Sequence, residues 1–212
     1  MLHAAPVQED LPFPQRVVAL GAAPKNLAAK GVLHEPGEQG QVWRLMDGAL
    51  RLDEVDAAGD RRFAGLLLPG DLVGGEMLTL GVYAMRAQAL VPSRLLPVQS
   101  TQGGGVSPEA ALQSFVRMQQ RTAALMSMRS GTAEERVSRL ILLLAGHDDD
   151  RVVLPILKDM ADITDLAMES VSRVMSKLKQ AGALIDRGRR HLFALRRSQL
   201  LAPPSQFALM GS

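Results

Sequence analysis

Between residues 31 and 98 the apolar residues come in short runs, at 42–46, 49–52, 63–68, 87–91 and 94–98, each bounded by Gly, Pro or Asp. Short strands joined by tight turns at this spacing predict an all-β sandwich or roll. Gly37, Gly48, Gly70 and Gly75 fall where such turns would need positive φ. After a stretch read as a flexible loop, 100–106 with Gly103, Gly104 and Gly105, the period changes. Ser107, Pro108 and Glu109 supply an N-cap hydroxyl, a first-turn proline and an acid near the positive end of a helix dipole. The helix they open is expected to reach about Arg129. Along it Leu112, Phe115, Gln119, Thr122 and Met126 recur at alternating steps of three and four, the pattern of a seam against another helix. The alternative is an ordinary helix packed on its own domain, since two of the five seam positions are polar.

A break is predicted at Ser130 and Gly131, because Thr132 to Glu135 has the form of a capping box that begins a new helix. That break is the expected hinge. Val137, Leu140, Ile141 and Leu144 make the buried stripe of the next helix, which stops at Gly146 before a solvated run, 147–151. Then come a short helix (158–163), a turn (164–166) and a second helix (167–181) closed by Gly182. Two short strands, 183–186 and 191–195, flank Arg187, Gly188, Arg189 and Arg190, a hairpin whose tip can lie along phosphates. A helix-turn-helix followed by a hairpin is a winged helix. The expected fold is therefore α+β, divided into a β-roll sensor domain (1–106), a dimerisation helix with hinge (107–130) and a winged helix-turn-helix domain (131–212).

The helix over 167–181 carries the chemistry. It places Glu169, Ser172, Arg173, Ser176 and Lys177 at i, i+3, i+4, i+7 and i+8 on one face, with Val171, Val174 and Leu178 on another. Glu can accept from a cytosine amino group and Arg can donate twice to a guanine edge in the major groove, so the polar face suits base reading. Charge agrees with this. Residues 1–110 carry 9 Lys+Arg against 12 Asp+Glu, whereas residues 151–212 carry 10 against 5, so the net +2 of the chain hides a basic C-terminal end.

Composition narrows the remaining classes. Hydrophobic content of 47% and charged content of 22% are ordinary for a soluble globular chain, and no apolar run approaches the ~20 residues of a bilayer span. Residues 1–16 lack a signal-peptide pattern, so the cytoplasm is expected. The absence of cysteine excludes disulfides, thiolate zinc sites and cysteine-ligated iron–sulfur clusters. His3, His34, His147 and His191 are scattered without metal-ligand spacing, which argues against a metal site and against an enzyme of the cupin kind.

The order β-roll, long helix, hinge and winged helix, from about Leu33 to Leu195, resembles the catabolite-activator/fumarate-nitrate-regulator (CRP/FNR) family of bacterial transcription factors. The roll motifs are Pro36-Gly37-Glu38, Val42 with Trp43, Gly48, Leu68-Pro69-Gly70-Asp71 and Gly75-Glu76, and Glu169-Ser170-Val171-Ser172-Arg173 matches the recognition-helix signature. The resemblance implies a homodimer on double-stranded DNA with an inverted-repeat operator, and RNA polymerase as a further partner. It assigns DNA contacts to Glu169, Ser170, Ser172, Arg173, Lys177, Arg189 and Arg190, and the dimer to Leu112, Phe115, Gln119, Thr122 and Met126. The chain departs from the family where Asp165 replaces a turn glycine, Ala167 replaces a Ser/Thr cap, and Met168 stands where some members carry Arg. Asp tolerates a left-handed backbone, and an alanine cap costs ~1 kcal/mol.

For the effector the resemblance implies a small molecule in the roll, a cyclic nucleotide such as cAMP being the first candidate. Gly75 and Glu76 match the residues that hold a ribose hydroxyl. Arg86, ten residues on, matches the arginine of the cyclic phosphate, with the backbone of Ala87 beside it, and Arg121 and Thr122 match the base-contacting positions. Alternatively Glu76 and Arg86 pair with each other in an empty roll. Residues 83–95 also look like the nitrogen-oxide-responsive regulators, some of which bind haem. A reading from another class is a ligand-binding regulatory subunit whose C-terminal domain docks on protein rather than DNA.

Overall fold

The computed structural model describes residues 23–98, 108–146, 150–188 and 191–200. The first half is a roll of two antiparallel four-stranded sheets. One runs β1 (Lys25–Leu27), β8 (Ser93–Pro97), β3 (Trp43–Asp47), β6 (Leu72–Val73), and the other runs β2 (Val32–His34), β7 (Arg86–Ala89), β4 (Leu50–Val55), β5 (Arg61–Leu67). Alternation along the strands sends Leu33, Trp43, Leu45, Leu50, Ala87, Ala89 and Leu95 into one buried cluster between the sheets. A four-residue helix, α1 (Met77–Leu80), leaves the first sheet. The turns need left-handed backbone at Gly37, Gly48 and Gly70 as the sequence indicates, and also at Gly59 and Gly81, but at the expected fourth position the left-handed residue is Gly74 rather than Gly75. The reason is local: Gly74, at φ +75°, lies so close to the Tyr83 ring that a Cβ there would overlap it.

Helix α2 (Pro108–Met128) follows, then α3 (Ala133–Ala145), α4 (Leu157–Thr164) and α5 (Met168–Gln180), with β9 (Arg151–Val153), β10 (Leu184–Asp186) and β11 (Leu192–Leu195) forming a three-stranded wing in the order β10-β11-β9. The capping box at the start of α3 forms: the Thr132 hydroxyl accepts from the Glu135 N–H, and the Glu135 carboxylate accepts from the Thr132 N–H. Strand β9 begins at the end of the run expected to be solvated: Asp150 and Arg151 are exposed as expected, while Arg151 to Val153 pair with β11. The proposed loop at 100–106, the cap at Ser107 and the wing residues Arg189 and Arg190 lie outside the described residues.

The two halves share a core. Val137, Leu140 and Ile141 of α3, Met160 and Ile163 of α4, and Val171, Val174, Met175 and Leu178 of α5 join Ala49, Leu66, Leu68, Leu90 and Val91 of the roll and Met128 of α2 in one buried cluster. At the predicted hinge Gly131 has φ +92°, and Arg139 donates to the carbonyls of Ser127 at 3.1 Å and Ser130 at 2.9 Å, stapling the end of α2 to α3.

Candidate nucleic-acid interface and effector pocket

Helix α5 is amphipathic in the way its sequence predicts. Val171, Val174, Met175 and Leu178 are buried, whereas Glu169, Arg173, Ser176 and Lys177 are exposed and Ser170 and Ser172 half-buried. Ala167 makes no side-chain cap. Leu166 and Val171, both packed in the shared core, stand at the two positions of a hydrophobic staple and fix the entry of the chain instead. The turn before α5 is held by Asp165, left-handed at φ 54°, whose N–H donates to the Ala161 carbonyl. Arg136 of α3 donates to the carbonyls of Thr164 and Asp165 at 3.4 and 3.3 Å, a turn support that the sequence reading missed.

On the open face Arg173 Nε donates to the Glu169 carbonyl at 3.4 Å, and the Ser176 hydroxyl donates to the Ser172 carbonyl at 3.0 Å. Both interactions run within the helix, and Glu169 and Arg173 are exposed. Lys177 differs. Its ammonium is paired with Glu134 in the first turn of α3, which ties the C-terminal part of the reading face to the preceding helix. At the other end Met168, the first residue of α5, is 49% exposed.

All five seam positions of α2 (Leu112, Phe115, Gln119, Thr122 and Met126) are exposed, with Leu112 at 64% and Met126 at 70%. The face of α2 that meets the protein is a different one. Arg117 donates to the Gly70 carbonyl at 3.0 Å, Arg121 is paired with the buried Asp71, and Leu125 and Met128 enter the core. Packing on its own domain therefore leaves the apolar seam uncovered. Burial lowers the Arg121 pKa, and Asp71 beside it works in the opposite direction.

The effector residues are engaged with other protein groups. Register pairs Arg86 with Asp53 and Gln88 with Arg51, on the sheet face opposite to Leu50, Ala87 and Ala89, which fill the roll interior. Arg86 thus lies on the outer face. Its Nε donates to Glu35 at 2.9 Å, and its Nη1 donates to Gln88 at 2.9 Å and lies 3.7 Å from Asp53. These partners correct the expectation of a Glu76–Arg86 pair; Glu76 stands at the N-cap position of α1 without a side-chain cap and accepts from the Ala84 N–H at 3.4 Å. Gly75 precedes it at the same turn, and Ala87 is buried beneath the sheet. Arg121 is committed to Asp71, while the exposed Thr122 hydroxyl donates to the Met118 carbonyl at 2.9 Å.

A second arginine on that outer face went unread in the sequence. Arg51 donates to Asp53 at 2.8 Å and, across to α4, to Asp159 at 2.8 Å and Asp162 at 3.1 Å. Glu35, Arg86, Asp53, Arg51, Asp159 and Asp162 make one chain of charges from the edge of the roll to the first helix of the helix-turn-helix. Burial alone would lower the Arg51 pKa, but the carboxylates of Asp53, Asp162 and Asp159 outweigh it and hold it above its ordinary value. Inside the roll, the buried His34 ring stacks on Tyr83 with centroids 3.6 Å apart.

Residues 135–202 match a family model described as the Crp-like helix-turn-helix domain. The chain is 27% identical over 187 residues to the nitrogen fixation regulation protein FixK of Azorhizobium caulinodans, covering 81% of this chain and 75% of that protein. It is 27% identical over 177 residues to the transcriptional regulator LdrP of Thermus thermophilus, covering 78% and 89%. The chain resembles regulators of the CRP/FNR family, in its Crp-like helix-turn-helix and along most of its length. Solved structures of the family share its fold. TTHB099, a CRP-family transcriptional regulator from Thermus thermophilus, superposes with a TM-score of 0.65 at 24% identity, covering 83% of this chain and 94% of that one. FixK2 from Bradyrhizobium japonicum superposes with a TM-score of 0.63 at 24% identity, covering 88% and 100%. The family arrangement of antiparallel roll, helices and C-terminal helix-turn-helix is the one found here. Among the described residues no helix is long and apolar enough to cross a membrane, and no cluster of three metal-ligating side chains occurs.

Proposed function

We propose that this chain is a sequence-specific DNA-binding transcription regulator that works as a homodimer on an inverted-repeat site. One observation carries the reading. Helix α5 is fixed in the core by Val171, Val174, Met175 and Leu178 and turns Glu169, Ser172 and Arg173 outward from a domain matching the Crp-like helix-turn-helix. Relatives bearing the names of transcriptional regulators support it. The uncovered seam of Leu112, Phe115 and Met126 is the surface for a second copy, and two joined copies would present their α5 helices one DNA turn apart. The division of labour follows: the roll (1–106) as regulatory body, 107–130 as dimer helix, 131–212 as reader, with RNA polymerase as the further partner of such a regulator.

The roll in this reading is neutralised from within. Arg86, only 6% exposed, already has the carboxylates of Glu35 and Asp53, so a cyclic phosphate would have to displace them. DNA binding accordingly needs no cyclic nucleotide. Selection from a random duplex pool tests the function. An enriched inverted repeat with half-site centres ~10 base pairs apart is expected; no enrichment, with binding indifferent to salt, would favour a domain that docks on protein.

A further inference from the structure

We infer that Met168 is a specificity-determining residue, its thioether side chain meeting the C5-methyl group of a thymine beside the base pair that Glu169 reads. The inference rests on the DNA-reading function proposed above. Among the described residues after α2, Met168 is the one large apolar side chain left exposed, at 49%. It is not part of the buried core. The buried stripe of α5 is Val171, Val174, Met175 and Leu178, and Leu166 and Val171, at the two staple positions of the helix entry, both lie in the shared core. Its direction is informative: Met168, Ser172 and Ser176 form one i, i+4, i+8 row, flanked by Glu169 and Arg173. Side chains of a helix tilt toward its N-terminus, so a residue at the first position projects ahead of the end that enters the groove.

Of the four bases only thymine offers an apolar group in the major groove, and apolar side chains are its recognition partners. Methionine is unbranched and adaptable, so it can reach a methyl group without dictating the fit of Glu169 and Arg173. Left to water, that position would keep an apolar side chain exposed on an otherwise polar reading face.

Deoxyuridine lacks only that methyl group, so replacing thymines one at a time in the selected duplex tests the contact in the full chain. Burying one methyl group corresponds to about fourfold in affinity, hence roughly fifteenfold when both half-sites are changed. Wild-type protein should lose about fourfold at one thymine per half-site. Met168→Ala and Met168→Gln should bind the unmodified duplex correspondingly less tightly and be indifferent to deoxyuridine at that position. Their thermal unfolding should match wild type. The inference is overturned if wild type ignores deoxyuridine at every position, if the site has no thymine there, or if Met168→Ala keeps the wild-type pattern. A chain that selects no site at all overturns the DNA-reading function as well, which separates the two failures.

Discussion

Arg51→Met removes the guanidinium that joins the roll to α4 while keeping a side chain of similar length. The ion pairs lost are mostly buried: side-chain exposure is 8% for Arg51, 1% for Asp53 and 13% for Asp159. Breaking a buried pair by deleting one partner costs ~3–5 kcal/mol, because the other charge stays behind unpaired. Asp162, at 38% exposure, is screened by water and adds little. Arg86 lies 3.7 Å from Asp53 and recovers part of the loss, so the lower end, ~3 kcal/mol, is expected. Urea unfolding measures it. Trp43, the single tryptophan, reports the roll by fluorescence, while far-UV dichroism is dominated by helices outside it. The two transitions should coincide in wild type and separate in Arg51→Met, with the helical signal lost first. A cycle with Asp159→Asn should show a coupling of at least ~1 kcal/mol. A total loss below ~1 kcal/mol, or zero coupling to Asp159, would refute the clamp.

Three further outcomes follow from the same geometry. Phe115→Asp should give monomers by sedimentation and lose operator binding with them, while the exposed position of Phe115 leaves the fold intact. Titration of cyclic AMP or cyclic GMP into the protein should give no heat of binding, and DNA affinity should be unchanged by either; saturable binding would show that Glu35 and Asp53 yield Arg86 to a phosphate. His34 has its pKa lowered by burial, with the carboxylates of Glu76, Glu38 and Glu35 and the Met85 backbone opposing. The unfolded chain therefore takes up this proton first as pH falls below the ordinary histidine value of about 6.5. Stability from His34 is complete above that value and is lost as pH falls through the lower folded pKa. His34→Phe, which keeps the stack on Tyr83, should flatten that acid-side loss in urea midpoints measured from pH 7 to 5.

Local signals were the legible ones. The capping box of Thr132 and Glu135, the stripe of Val171, Val174 and Leu178, and the left-handed Asp165 depend on residues within a few positions of each other, so their spacing in the sequence predicted them. Strand β9 escaped notice because Val152 and Val153 are stabilised by pairing with β11, some forty residues on, and follow a charged run that reads as solvated. The charge chain was hidden for the same reason. Arg51 and Asp53 alternate with Leu50 and Leu52 as solvent-facing strand residues should, and only the docking of Asp159, 108 positions away, turns that face into an interior. Arg86 matched its motif in identity and spacing, but a motif does not record which face of β7 the side chain takes.

The central claim, that the outer face of α5 reads base identity, is tested most directly by measuring wild type and Arg173→Ala against every single-base variant of the selected half-site at one fixed salt concentration. Wild type should lose ~1–3 kcal/mol when one guanine is replaced. Arg173→Ala should bind the parent duplex more weakly by that amount, lose its preference at that guanine, and keep the wild-type preferences elsewhere. An Arg173→Ala protein with full affinity and unchanged preference at every position would contradict the account.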